Sequence, residues 1–201
     1  MKKFELTSEF VTFLGKKLFR IKALISFGNV EEGELGGYVE KEENLSNDGN
    51  AWVYGNAKVY GDAEVYGDAE VFGNAEVFGN AWVSGDARVY GVAEVYGNAR
   101  VSGDAEVYGD AEVSGNAWVS GDARVYGVAD YATVQGFGSE YRTTTFFRTK
   151  AGDIGVRCGC FYGTLEEFRA KVKETHGETK TAKEYLMVAD LMEFRFSKEE
   201  A

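Results

Sequence analysis

The stretch GNAWVSGDARVYGVA occupies residues 79–93 and returns, letter for letter, at residues 115–129. The offset of 36 residues is a multiple of a shorter period. From Val53 the chain runs in thirteen consecutive six-residue units, VYGNAK through VYGVAD, ending at Asp130. Each reads Val, then Tyr, Phe or Ser, then Gly, then usually Asn or Asp, then Ala and a variable residue. Ala and Val lie two apart, so on a strand they share a face, while the variable residue and the ring point the other way. Gly followed by Asn or Asp is turn chemistry, because these residues tolerate left-handed backbone angles. Each unit is therefore expected to be a four-residue strand and a corner. One glycine in every six residues excludes a coiled coil. No unit can bury its Ala/Val face alone, so successive coils must stack.

These units resemble the hexapeptide repeat of left-handed parallel β-helices, in which three units make a triangular coil of eighteen residues. The resemblance implies a mainly β fold, and the 36-residue duplication equals two such coils. Thirteen units make a little over four coils, a column of roughly 20 Å at about 4.8 Å per coil. One departure is that the position after the aliphatic residue, often small in that family, is here usually aromatic. The coil is expected to span residues 51–136, with both open ends capped.

Folding the list at period eighteen places side chains in vertical files. The first face carries Tyr54, Phe72, Tyr90, Tyr108 and Tyr126, a candidate binding stripe or a ring stack that stabilises the coil. Beside it run Trp52, Glu70, Arg88, Glu106 and Arg124, also expected to point outward. The second face carries Lys58 and the acidic column Glu76, Glu94, Glu112 and Asp130, beside Tyr60, Phe78, Tyr96 and Ser114. The third carries Glu64, then Trp82, Arg100 and Trp118, which predict a cation–π sandwich and a second candidate contact. Asp68, Asp86, Asp104 and Asp122 share a corner, where each is expected to cap its own turn rather than hold a metal.

The flanks differ in character. Residues 1–50 contain the alternating runs FVTFLG and KKLFRIKAL, expected to form a hairpin turning near Gly15 and Lys16, and a lead-in segment in which Val39 and Leu45 already lie six apart. Residues 140–201 are expected to form an α+β module of two strands and two helices (ββαα). The strands meet at Ala151, Gly152 and Asp153. Thr164 with Glu167 caps one helix that stops near Gly177, and Thr181 with Glu184 caps another, whose Tyr185, Val188, Ala189 and Met192 form an apolar stripe. LGGYVEKEENLS, CGCFYGTLEEF and KETHG are similar to segments of bacteriophage-encoded hexapeptide-repeat proteins of unassigned function, which implies a phage-type origin.

Composition narrows the function. The formal net charge is −11. Residues 53–130 hold thirteen Asp/Glu against four Lys/Arg, a net −9. Such a body is unsuited to direct nucleic-acid binding by phosphate neutralisation and suits a basic protein partner. No apolar run of membrane-spanning length occurs, and Cys158 and Cys160, two apart, make a poor disulfide framework, so a cytoplasmic protein without membrane contact is expected. Both cysteines are expected to be buried under a helix. The only histidine, His176, is expected to serve a helix C-terminus. The acyltransferases and zinc carbonic anhydrases among the resembled proteins use coil-borne histidines, and the coils here have none, so neither catalysis, metal nor cofactor is expected. Ice binding would require Thr ladders, which the repeat lacks. The expected function is a rigid acidic scaffold that binds, and inhibits, a host protein, with an anti-defence role as one form of this. A dimer or trimer built by coil-to-coil packing is the alternative, and a hexapeptide acyltransferase the third.

Overall fold

The computed structural model describes residues 2–138 and 140–197. The chain opens with an antiparallel hairpin, β1 (Phe4–Phe13) and β2 (Lys16–Ala23), which turns through Leu14 and Gly15, both at positive φ. β3 (Leu35–Val39) pairs with β2 on one side and starts the coil on the other. Thirteen two-residue strands follow at six-residue intervals, from β4 (Trp52–Val53) to β16 (Arg124–Val125). Each pairs in parallel with the strand eighteen residues away, as in Arg88↔Glu70 and Arg88↔Glu106. The result is a three-sided parallel β-solenoid of about five turns. The strands are shorter than the four residues expected, because the backbone leaves the ladder as soon as the ring position leads into the glycine. The coil also starts earlier than expected. Tyr38 pairs with Lys58 and Leu45 bridges to Val65, so residues 35–50 already wind once around.

The interior is a continuous column of alanine and valine. Every Ala and Val from Ala51 to Val125 at the two inward positions is fully buried. The glycine corners bring successive coils into backbone contact. Gly97 has φ +72°, and a Cβ there would stand 3.0 Å from the Gly115 nitrogen; Gly115 has φ +68° and open space beside it.

Backbone N–H groups of outward-facing residues donate to carbonyls one coil on, as in Lys58 N to Ala75 O (3.0 Å) and Tyr60 N to Val77 O (3.0 Å). Of this set of bonds, the first coil is left with free carbonyls and the last with free N–H groups, and both are met by side chains. At the start, Asn44 Nδ2 donates to Gly61 O and Ala63 O (3.0 and 2.8 Å), and the buried Lys3 ammonium donates to Ala51 O (2.9 Å) and Gly49 O (3.3 Å). Burial lowers the Lys3 pKa to about 8. Phe4 and Phe27 pack edge-on against Trp52, which is fully buried. Trp52 is therefore not outward-facing solvent surface as expected, because the N-terminal strand lies over it.

At the far end Trp118 N donates to Thr145 Oγ1 (2.9 Å) and Ser114 N to the Tyr131 hydroxyl (3.3 Å). The buried Phe147 ring closes the apolar column. Thr145 and Phe147 belong to a four-stranded antiparallel sheet in the order β17 (Tyr131–Val134), β18 (Thr144–Arg148), β19 (Ile154–Cys158) and β20 (Phe161–Thr164). Residues 131–134, expected in the coil, thus pair with the terminal sheet, and the expected two strands are four. Helices α1 (Leu165–His176) and α2 (Lys180–Phe196) cover this sheet through a second core that includes Phe146, Phe168, Tyr185, Val188, Ala189 and Met192. Thr164 and Glu167 form the expected capping box on α1, and Gly177, at φ +56°, ends it. The expected Thr181–Glu184 box does not form. Only Gly177, Glu178 and Thr179 separate the two helices, and α2 begins at Lys180 with Thr179 as its cap. Among the described residues no helix is long and apolar enough to cross a membrane.

Substituting Gly97→Ala and Gly115→Ala separates corner strain from coil stacking. Left-handed backbone costs an L-residue about 1–2 kcal/mol at either site. Gly97→Ala is expected to lose measurably more in urea unfolding, because only there does the methyl press on the next coil; equal losses would mean that the coils are not in contact at this corner.

Candidate functional site

The solenoid presents three faces whose side chains differ in how far they satisfy each other. On the first face Phe72, Tyr90 and Tyr108 stack with centroids 4.7 and 5.0 Å apart and planes nearly parallel, and Tyr126 meets Tyr108 edge-on at 5.3 Å. Tyr54, at the head of this file, packs against the interior core. Beside the rings the charges alternate. Glu70 binds Arg88 (3.1 Å), and Glu106 binds both Arg124 (3.5 Å) and Lys150 (3.3 Å). The contacts of Glu106 hold its pKa below the usual value against the opposing effect of burial. Most of the ring area is thus spent on ring-to-ring contact, and only Tyr126, 60% exposed, leaves a large apolar surface free.

The second face has a similar ring stack, Tyr60–Phe78–Tyr96, with centroids 5.0 and 4.9 Å apart. Its charges do not alternate. Lys58 binds Glu76 (3.1 Å), and Tyr60 donates to the same carboxylate (3.1 Å). Glu94 then lies directly between Glu76 and Glu112 in the ladder. Burial, then the charges of Glu76 and Glu112, push the Glu94 pKa up. Among the described residues neither Glu94 nor Glu112 forms an ion pair. Asp130 does not continue this file. Its carboxylate turns back to accept from the N–H groups of Tyr126 (2.9 Å) and Gly127 (3.1 Å) and faces Arg148 at 3.7 Å, because the chain has left the coil for the terminal sheet.

The third face carries the Trp–Arg file. The Arg100 guanidinium lies 4.7 Å from the Trp82 ring and 5.4 Å from the Trp118 ring. Arg157, from β19, adds a further layer 3.7 Å from Trp118. The indole N–H of Trp118 donates to Ser102 Oγ (3.1 Å), which holds the ring in the plane of the stack. Tyr66 meets Trp82 edge-on at 6.4 Å. The period of eighteen places Trp82, Arg100 and Trp118 together. Arg157 lies outside the repeat and reaches the file only through tertiary packing, so no sequence signal pointed to it.

The remaining candidates fall elsewhere. In the corner file Asp68 accepts from Asn50 N of the preceding coil (2.9 Å) and Asp122 accepts from the Tyr162 hydroxyl (3.0 Å). Among the described residues none of these aspartates caps its own turn, and Asp68 N donates to Gly85 O of the next coil instead. At another corner asparagines form a ladder, Asn80 to Asn98 to Asn116, at 3.1 Å per step. Cys158 is half-buried and accepts from Thr144 Oγ1 (3.2 Å), while Cys160 is exposed. The expected burial of both under a helix does not hold, because the strand ends at Cys158 and Cys160 sits in the turn before β20. His176 stacks on Tyr185 (5.9 Å) at the C-terminal end of α1.

A family model described as the YdcK Beta solenoid repeat matches residues 93–109, a stretch of about one coil. No curated protein matches the chain. The match agrees with the architecture: the chain is a β-solenoid repeat protein.

The tyrosine files also give the fold an alkaline limit. Burial first, and then the charge of Glu70, push the Tyr54 pKa from 10.0 up to about 12. A phenol with a raised folded-state pKa contributes stability that is complete below pH 10 and lost as the pH rises towards 12. Tyr54→Phe is therefore expected to flatten the fall in urea midpoint between pH 10 and 12 relative to the wild type; an unchanged slope would show that Tyr54 titrates as in the unfolded chain.

Proposed function

We propose that the protein is a non-catalytic binding scaffold of bacteriophage accessory type, acting in the host cytoplasm, and that it engages and inhibits a basic host protein, such as a defence factor, through the third face of its solenoid. The observation that carries this reading is the Trp82–Arg100–Trp118–Arg157 stack. Its rings and guanidinium planes pack on one another and are carried by paired strands, so little side-chain freedom remains to be lost on binding, and Trp and Arg are among the side chains that most often anchor interfaces. Trp82 is 37% exposed at the open end of the stack. The uncompensated Glu94 and Glu112 of the neighbouring face favour encounter with a positive surface. His176, the only histidine, sits outside the coil, which favours binding over the acyl transfer that the hexapeptide resemblance would otherwise bring.

The test is capture from bacterial lysate by the wild-type protein and by Trp82→Ala/Trp118→Ala. A specific partner is expected to be retained by the wild type, to elute with salt, and to bind the variant about tenfold less or weaker. Equal retention by both would remove the third face from the contact, and a thermal shift with acetyl-CoA would favour the acyltransferase alternative.

A second reading, self-association, is favoured by one specific feature of α2. Met187, Leu191 and Phe194 are exposed at spacings of four and three residues, the pattern of a helix-packing stripe. Glu184 and Arg195 are eleven residues apart, about three turns, and so border the same edge of that stripe. An antiparallel pairing of two copies sets Glu184 of each against Arg195 of the other. Under this reading the dimer forms through the terminal module rather than through the aromatic face of the coil, where the rings already stack on each other. Light scattering is expected to show a dimer that Phe194→Glu converts to a monomer; a wild-type monomer at high concentration would end this reading.

A further inference from the structure

The Trp–Arg file is complete at one end and open at the other. Trp118 has a guanidinium on each side, Arg100 at 5.4 Å and Arg157 at 3.7 Å. Trp82 has one, Arg100 at 4.7 Å. The residue next to Trp82 in the ladder on its other side is Glu64, whose carboxylate forms no ion pair among the described residues. At this point the surface opens into a cavity of about 710 Å³, lined by Trp82, Tyr66, Glu64, Leu45, Glu42 and Glu43 among others. Tyr66 stands edge-on to Trp82 and forms one wall. The lead-in turn, through Glu42, Glu43 and Leu45, contributes to the lining as well. Glu42 is neutralised by Lys2 at 2.6 Å, whereas Glu43, like Glu64, has no ion-pair partner among the described residues.

We propose that this cavity binds an arginine side chain of a basic polypeptide, whose guanidinium stacks on Trp82 as the next layer of the file and is paired by Glu64 and Glu43. The ring supplies a negatively polarised face, and the carboxylates supply acceptors at its edge; a planar, delocalised cation uses both at once, while an ammonium uses the ring only as a point charge. Hexapeptide geometry alone does not make the site. It needs Trp82 and Glu64 from adjacent coils, Tyr66 from the ring position, and the lead-in turn beside them. The inference rests on the binding reading above, and it names what the third face recognises.

The probe is a hexa-arginine peptide, followed through the indole ¹⁵N–H signals of the protein, which Trp82→Phe assigns. Hexa-arginine is expected to shift the Trp82 signal and to leave that of the buried Trp52 in place. Hexa-lysine is expected to bind more weakly, and hexa-citrulline, equal in shape but uncharged, to cause no shift. N-acetyl-arginine amide is expected to shift the same signal at much higher concentration, which separates a polypeptide ligand from a free guanidinium compound; equal affinity for the two would overturn the polypeptide assignment. Glu43→Gln/Glu64→Gln is expected to weaken hexa-arginine by about tenfold. Glu94→Gln/Glu112→Gln, on the second face, is expected to change it little. An unmoved Trp82 signal, or equal weakening by both double variants, would overturn the site, the latter by placing the peptide on the acidic surface at large. The capture experiment reports separately: if the host partner still depends on Trp82 and Trp118 while hexa-arginine fails, the pocket falls and the scaffold reading stands. If hexa-arginine binds in the pocket and capture is indifferent to those tryptophans, the scaffold reading falls.

Discussion

The structure depends on the backbone ladder that joins each coil to the next. A two-residue strand has no stability of its own, and each of the thirteen pairs with at least one strand eighteen residues away. The corners decide whether the ladder can form. Glycine at positive φ lets successive turns approach until Asp62 N reaches Gly79 O at 2.7 Å and Asp68 N reaches Gly85 O at 2.9 Å. With the corners in contact, inward Ala and Val side chains from three directions meet in one column without further adjustment. This dependence also explains the ends. A stack held by neighbours has one coil at each end that lacks a neighbour, and the protein supplies side chains in its place: Lys3 and Asn44 donate where carbonyls would be bare, and Thr145 and Tyr131 accept where N–H groups would be bare.

The ladder has a second consequence, because it forces every eighteenth side chain into contact. What the repeat places at a position therefore meets the residue at the same position of the next coil. Three outcomes coexist on one solenoid. Alternating Glu and Arg on the first face neutralise each other, stacked phenol and phenyl rings on two faces bury each other, and the Glu76–Glu94–Glu112 file repels itself. Like charges placed directly opposite oppose folding, so the last file is a cost that the ladder itself does not require. A nearby basic surface removes that cost, which links the acidic file to the partner chemistry inferred for the third face.

The parts of the fold that were legible in the sequence are those that depend on period alone. Eighteen residues per turn, the inward Ala and Val, the file from Phe72 to Tyr126 and the sandwich of Arg100 between two tryptophans all follow from a residue's place in the repeat. The six-residue spacing of Val39 and Leu45 is visible too, but in the sequence it reads as a lead-in rather than as the extra turn that it marks. The helix that ends at Gly177 and the apolar stripe of α2 were legible for a similar reason, since local capping and a 3.6-residue period specify them. Asp130 shows where such reasoning stops: it keeps the repeat's spelling, yet the backbone has already turned away to pair with Arg148 and the terminal sheet.

Tertiary structure alone decided how the ends are closed and what stands beside the files. Trp52 follows the outward pattern and is buried because Phe4 of the first strand and Phe27 lie against it. Arg157 has no place in the repeat and completes the tryptophan stack because β19 folds back onto the last coil. The cavity at Trp82 joins residues from the lead-in turn and from two adjacent coils. The physical reason is the same in each case: period specifies contacts between equivalent positions of neighbouring coils, whereas a cap is a contact between unlike segments, set by the shape and unmet hydrogen bonds of the surface it must cover.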